Sequence, residues 1–290
     1  ALAAVPERKA GGKPIVLMPN PFYQVYAGAA VLAGAEPKFL SATAKTGFLP
    51  DIATIDDEVL ARTALFYFCS PANPQGAIAS LENLKSLVRM AREHDFVLAA
   101  DECYAEIYDR NIAPPPGMAE ACAALDGSLN NVVIFNSLSK RSSAPGLRSG
   151  FVAGEAEFIR RYTRLRDYGG APPPLPLLAA AVALWRDEVH VANSRELYRR
   201  KFDLAQSMLD GKLGFYRAPG GFYLWLDVEN GEDAARRLWA EAGIRVLPGA
   251  YIAKTGSNGD NPGKRYIRCA LVHDLEITGE ALSRVARVLT

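Results

Sequence analysis

Five short apolar runs mark the first half of the chain: Ile15 to Met18, Leu65 to Cys69, Phe96 to Ala100, Val132 to Asn136 and Phe151 to Ala153. Each is continuously apolar or rich in β-formers, the pattern of a strand covered on both faces. Helical periodicity fills the gaps between them. It is clearest from Leu81 to Glu93, where Leu81, Leu84, Leu87, Val88 and Ala91 share one face behind Ser80 as N-cap. This alternation predicts an α/β fold with a mostly parallel sheet and helices on both faces.

The pattern changes after Glu155. A charged helical stretch to Arg166 leads into the loop Gly169 to Pro174, and a second helical stretch runs from about Leu175 to Leu209. A smaller α+β pattern follows. Phe222 to Val228, Arg245 to Leu247 and Tyr266 to Leu271 read as strands, and Asp233 to Ala242 and Glu276 to Leu289 as helices. The expected division is a larger domain over residues 1–168, then a linking helix and small C-terminal domain over 169–290. Ala1 to Lys9 read as the last turn of a helix closed at Gly11-Gly12, so the chain is expected to begin inside a helix.

Composition narrows the classes. A net charge of +1 gives no footprint for nucleic acid or a charged membrane surface. No apolar run reaches the length of a membrane span. The four cysteines are far apart without a Cys-x-x-Cys pair, so no metal site is expected and a reducing, cytoplasmic setting fits.

The chemistry is at the strand ends, where open α/β sheets bind ligands. Met18 is followed by Pro19-Asn20-Pro21-Phe22-Tyr23, and Cys69 by Ser70-Pro71-Ala72-Asn73-Pro74-Gln75-Gly76. Ala100 is followed by Asp101-Glu102-Cys103-Tyr104, and Asn136 by Ser137-Leu138-Ser139-Lys140, with Arg148 eight residues on. Each has an ordinary reading: Lys140 as a solvated loop lysine, Asp101 as a helix cap, Asn73 to Gly76 as a turn, Tyr23 and Tyr104 as boundary aromatics, Arg148 as a surface charge. Their joint placement along one sheet edge favours a site.

Ser-x-Ser-Lys with an arginine eight residues on, Asp-x-x-Tyr after a buried strand and Asn-Pro-x-Gly after the strand before it resemble the class I/II aminotransferases of pyridoxal-phosphate (PLP) fold type I. Order and spacing agree over essentially the whole chain. The resemblance implies that Lys140 carries PLP as a Schiff base and that Asp101 partners the pyridine nitrogen. Tyr104 and Asn73 would bond the ring's phenolic oxygen, and Tyr23 would stack on the ring. Ser137, Arg148 and, more weakly, Ser139 would hold the phosphate. Arg268, in Tyr266 to Leu271, would grip the substrate α-carboxylate beside Asn73; its ordinary reading is a surface pair at a strand edge. Pro219 to Trp225 also matches the family's small domain. A homodimer is implied too, with the apolar stretch Ala171 to Ala183 as the hint in the chain itself.

Leu247 to Lys254, with Asn261-Pro262-Gly263 and the Arg268 strand, resembles succinyldiaminopimelate aminotransferases of lysine biosynthesis. That implies glutamate/2-oxoglutarate and N-succinyl-2-amino-6-oxopimelate as the exchanging pair; aspartate- or alanine-type specificity is the alternative. Family members carry an N-terminal arm, a substrate loop and a glycine-containing phosphate turn, which the resemblance places ahead of Ala1. About a hundred residues are therefore expected to be missing, roughly a small domain's worth, with part of the phosphate cradle.

Two rivals come from other classes. Ser137-Leu-Ser-Lys140 is also a Ser-x-x-Lys and Lys254-Thr255-Gly256 a Lys-Thr-Gly, as in serine hydrolases of the penicillin-binding type. That fold needs Lys-Thr-Gly on a strand, whereas this one is in a Gly/Asn-rich loop, and a second copy at Lys45 shows how readily the match arises. The other rival is a non-catalytic aminotransferase-like sensor domain of a transcription regulator.

Overall fold

A computed structural model describes residues 1–9, 12–170 and 172–290. Gly11, in the expected helix stop, and Ala171, in the expected dimer stretch, lie outside the described residues. The elements are β1 (Ile15–Asn20), α1 (Gln24–Leu32), β2 (Glu36–Ser41), α2 (Asp57–Arg62), β3 (Thr63–Cys69), α3 (Leu81–Glu93), β4 (Val97–Asp101), α4 (Met118–Leu125), β5 (Val132–Ser137), α5 (Leu138–Arg141), β6 (Gly150–Gly154), α6 (Ala156–Gly169), α7 (Leu175–Arg186), α8 (Val189–Leu209), β7 (Tyr223–Asp227), α9 (Gly231–Ala242), β8 (Leu247–Pro248), β9 (Tyr266–Ala270) and α10 (Leu275–Leu289).

The first six strands form one sheet in the order β2-β1-β3-β4-β5-β6. β1 to β5 are parallel and β6 is antiparallel to β5. Side chains alternate across this sheet. Ile15, Leu17, Phe66 and Leu98 pack with Leu84, Leu87 and Val88 of α3 on one face. Val16, Met18, Leu65 and Ala99 pack with Tyr26 and Ala30 of α1 on the other. Full burial of both sets explains why the strands read as unbroken apolar runs.

Four local features differ from the sequence reading. β2 (Glu-Pro-Lys-Phe-Leu-Ser) is an edge strand, half polar and with a proline, bonded to the sheet on one side, so only Phe39-Leu40 is apolar in a row and no longer run betrays it. β6 runs against its neighbour, a direction that periodicity does not encode. The helix expected over Leu175 to Leu209 is broken into α7 and α8 at Asp187-Glu188. The opening residues make one turn only, with the Val5 N–H donating to the Ala1 carbonyl at 2.9 Å, and Lys9 then bridges to Gly12.

The second half has its own core. Phe202, Leu209, Leu224, Leu226, Leu238, Ile267, Leu282 and Val285 pack α8, α9 and α10 on the antiparallel sheet β7-β9-β8. A smaller cluster of Cys69, Tyr104, Ile107, Phe222 and Tyr223 joins it to the carboxyl edge of the first sheet. Gly76 makes that joint close: at φ +71° its place for a Cβ is 2.3 Å from the Gly220 carbonyl oxygen.

Candidate functional site

Strand order reverses at β1, so the crevice beyond the carboxyl ends of β1 and β3 is the natural ligand position. Tyr23 follows β1 and N-caps α1 with a largely exposed ring. Tyr26, one turn on, is buried and stacks on Tyr67 with centroids 4.5 Å apart. The two tyrosines meet edge to face at 5.6 Å.

Asp101 ends β4. No helix follows it; the Cys103 N–H donates to Oδ1 at 3.1 Å and the Tyr26 hydroxyl donates to Oδ2. The carboxylate is thus fixed from the turn behind it and from α1 across the sheet edge. Burial, and next the Asp101 charge, hold the Tyr26 hydroxyl well above its ordinary pKa, so it stays a neutral donor.

Lys140 is on α5, which begins directly at the end of β5. Ser137 caps this short helix, its Oγ accepting from the Ser139 N–H at 3.1 Å and donating to Ser139 Oγ at 2.9 Å. The Lys140 Nζ is 5.9 Å from the Tyr104 ring centroid and 5.1 Å from that of Phe222. Burial chiefly lowers its pKa; Arg268 pushes the same way, while Cys103 and Asp101 oppose. The ring faces of Tyr104 and Phe222 act in the opposite sense, favouring the ammonium by about 0.5–2 kcal/mol.

The second sheet supplies the opposite wall. Arg268 on β9 donates through Nη1 to Asn73 Oδ1 at 3.2 Å and lies 4.5 Å over the Tyr223 ring. The Tyr223 hydroxyl is 3.3 Å from that of Tyr104, and Tyr104 is raised far above its ordinary pKa by burial and then by Tyr223. Asp101, Tyr104, Asn73, Arg268 and Lys140 therefore form one cluster with Tyr26, Phe222 and Tyr223. Ser137 and Ser139 adjoin it at the start of α5.

Two residues of the expected set are less committed. Tyr23 stands at the rim. Arg148, exposed and in a left-handed conformation at φ 52°, donates to the Pro145 carbonyl oxygen of its own loop at 2.9 Å. Tyr26, Phe222 and Tyr223 were not in the set. Tyr26 had a faint signal: it is three residues past Tyr23 at a helix start, hence on the same face. Phe222 and Tyr223 fall in the Pro219 to Trp225 stretch that matches the small domain, but their place at the site depends on docking of the second sheet.

A cavity of about 840 Å³ lies at the other end of the sheet, lined by Val5, Asp95, Asn131, Arg161, Arg164 and Tyr168 among others. It opens at the amino ends of the strands and gathers no comparable reactive set. We place the site by its chemistry. The Lys254-Thr255-Gly256 segment is loop, not strand, and the Lys254 backbone is paired with the Asn20 amide.

Comparison with known proteins agrees with this geometry. Residues 7–283 match the family described as aminotransferase class I and II. The chain is similar to LL-diaminopimelate aminotransferase of Moorella thermoacetica, 32% identical over 95% of this chain and 69% of that protein. Among solved structures it superposes on an aminotransferase from Neisseria meningitidis with a TM-score of 0.90 and 39% identity, covering 100% of this chain and 73% of that one. It also superposes on a probable N-succinyldiaminopimelate aminotransferase from Thermus thermophilus, with TM-score 0.85 and 26% identity over 99% of this chain and 74% of that one.

Proposed function

This chain belongs to the class I and II aminotransferases, PLP-dependent enzymes that move an amino group between an amino acid and a 2-oxo acid, and from that premise we propose that Lys140 is its cofactor lysine. The observation that carries this is the Lys140 amine, its pKa lowered by burial, in one cluster with an anchored carboxylate and a second-sheet arginine. The residues fit the group. Asp101, held at both oxygens, suits a protonated ring nitrogen. Tyr104 and Asn73 suit the phenolic oxygen, and Tyr23 the ring face. Ser137, Ser139 and Arg148 suit the phosphate.

When bound, PLP supplies an electron sink for a carbanion at the substrate α carbon. The chain supplies the rest. Lys140, neutral part of the time, takes and returns the proton at the α carbon. Arg268 and Asn73 orient the substrate carboxylate, the guanidinium fork being the part that fits it.

For the substrate we favour exchange between glutamate/2-oxoglutarate and N-succinyl-2-amino-6-oxopimelate in lysine biosynthesis. The resemblance of Leu247 to Lys254 supports this, as does the probable N-succinyldiaminopimelate activity named for the Thermus protein. The Moorella protein is named for the unsuccinylated diaminopimelate and supports only the diaminopimelate skeleton. We read residues 1–168 as the cofactor domain and 169–290 as the linking helix and small domain. The active form in this reading is a cytoplasmic homodimer, supported by free thiols at Cys69, Cys103, Cys122 and Cys269 and by exposed Leu175, Leu178 and Val182 on α7. Among the described residues no helix is long and apolar enough to cross a membrane.

The test is a PLP absorbance spectrum before and after Lys140→Ala, then assay of glutamate with the succinylated keto-pimelate, oxaloacetate and pyruvate as acceptors. Loss of the lysine–PLP band and preference for the long acceptor support the reading. A band that survives the substitution contradicts it. A monomer on size exclusion contradicts the dimer, and absence of any transamination would favour the sensor rival.

A further inference from the structure

The Lys140 amine is only as well placed as the helix that carries it. α5 has four residues and cannot hold a helical shape without outside contacts. Leu138 is fully buried and seats its first residue. The remaining anchors follow Lys140 immediately in sequence. Arg141 is 5% exposed, an unusual place for a guanidinium. Its Nη1 donates to the Leu184 carbonyl oxygen at 2.9 Å, its Nη2 pairs with Glu188, and its Cζ lies 5.1 Å over the Trp185 ring. Ser142 Oγ is 2.8 Å from His190 Nε2, and His190 Nδ1 is 2.8 Å from Asp187 Oδ2.

All of these partners, Leu184, Trp185, Asp187, Glu188 and His190, belong to the elbow where α7 gives way to α8. The ion pair itself is a weak reason for burying an arginine: Glu188 keeps 70% of its side chain exposed, and pairs with so wet a partner contribute little. What the fork does provide is direction. One planar group meets a carbonyl, a carboxylate and an indole face at once, a geometry that an ammonium cannot reproduce. The neighbouring Trp185 also packs on Phe151 of β6 at 5.2 Å, so the elbow is braced against the first sheet.

We propose that Arg141 is a positioning residue for Lys140, and that the α7–α8 elbow is the element against which the cofactor lysine is set. This rests on the reading of Lys140 above. The elbow belongs to the second half of the chain and Lys140 to the first, so the placement of the amine depends on how the two halves are docked.

The experiment uses the PLP-loaded enzyme and the variants Arg141→Met, Arg141→Lys and Glu188→Gln, with Lys140→Ala alongside. Two quantities are read: the pH midpoint of the lysine–PLP colour change, and kcat and KM per PLP-bound site. In Arg141→Met the midpoint moves and kcat falls by about tenfold to a hundredfold, the scale of an ångström-sized misplacement, with KM within about twofold. Arg141→Lys recovers part of both, and Glu188→Gln shifts the midpoint in the same direction by less.

Thermal midpoints are read in parallel. A variant that melts earlier but keeps the parent colour midpoint and kcat assigns Arg141 a structural role only and overturns the proposal. If Arg141→Met does not fold, the other two variants decide: unchanged colour midpoint and kcat in both overturns it. A band that survives Lys140→Ala sinks the cofactor-lysine reading instead, and the two failures are distinguishable.

Discussion

Two lysines of this protein are withdrawn from water in different ways. Lys201, on α8 behind the second sheet, is 2% exposed and donates to the Leu271 carbonyl oxygen at 2.9 Å. Lys140, at the carboxyl edge of the first sheet, rests over Tyr104 and Phe222, and no hydrogen bond from its amine is found among the described residues. Burial lowers the pKa of both. The difference is what the amine is committed to. Lys201 is held by a backbone acceptor, so it joins a helix to a sheet. Lys140 faces aromatic rings with Asp101 and Arg268 nearby, so its lone pair is available for chemistry.

The largest expected effect separates the pair outright. Lys140→Ala abolishes the lysine–PLP band and lowers transamination by at least about a thousandfold, since it removes both the cofactor's attachment and the proton carrier. Lys201→Met keeps the band. A spectrum of each variant checks this, and a band lost in the second variant rather than the first would reverse the assignment.

Asp101→Asn comes next. It retains an acceptor for the Cys103 N–H but not the charge, and steady-state kcat should fall by about a hundredfold, close to 3 kcal/mol of barrier. Lys201→Met affects stability: the Leu271 carbonyl loses its donor, and urea unfolding should report a loss of about 1–3 kcal/mol. Tyr26→Phe preserves the stack on Tyr67 and removes one bond to Asp101, so kcat should fall by roughly fivefold, the worth of about 1 kcal/mol.

The subtlest test is pH. The folded-state pKa of Lys140 lies below its ordinary value of 10.5, so the unfolded chain binds more protons between the two values. Stability of the cofactor-free protein therefore gains from Lys140 as pH rises through that window, and loses as pH falls. Urea midpoints at mildly and strongly alkaline pH, compared between the parent and Lys140→Met, should show the parent catching up at the higher pH. A constant difference would mean that the burial penalty is absent.

Much of this arrangement was legible in the residues. Strands buried on both faces announce themselves as apolar runs, and the residues just beyond β1, β3, β4 and β5 are carried to one edge by topology alone. Asn73, Asp101, Tyr104 and Lys140 could therefore be placed together from the sequence. What stayed hidden depends on docking or on edges. β2, at the edge, packs only Phe39 and Leu40 in a row against the cores and so shows no apolar run. The break at Asp187-Glu188 is masked by helix-forming residues on either side. Phe222 and Tyr223 reach the site only because the second sheet closes over the first, through the near contact of Gly76 with Gly220.

The most direct test of the central claim is to treat the PLP-loaded protein with borohydride and map the modified peptide by mass spectrometry. Reduction fixes the cofactor to whichever amine holds it. The account predicts a single phosphopyridoxyl group on Lys140; a group on Lys201 or any other lysine, with Lys140 unmodified, would contradict it.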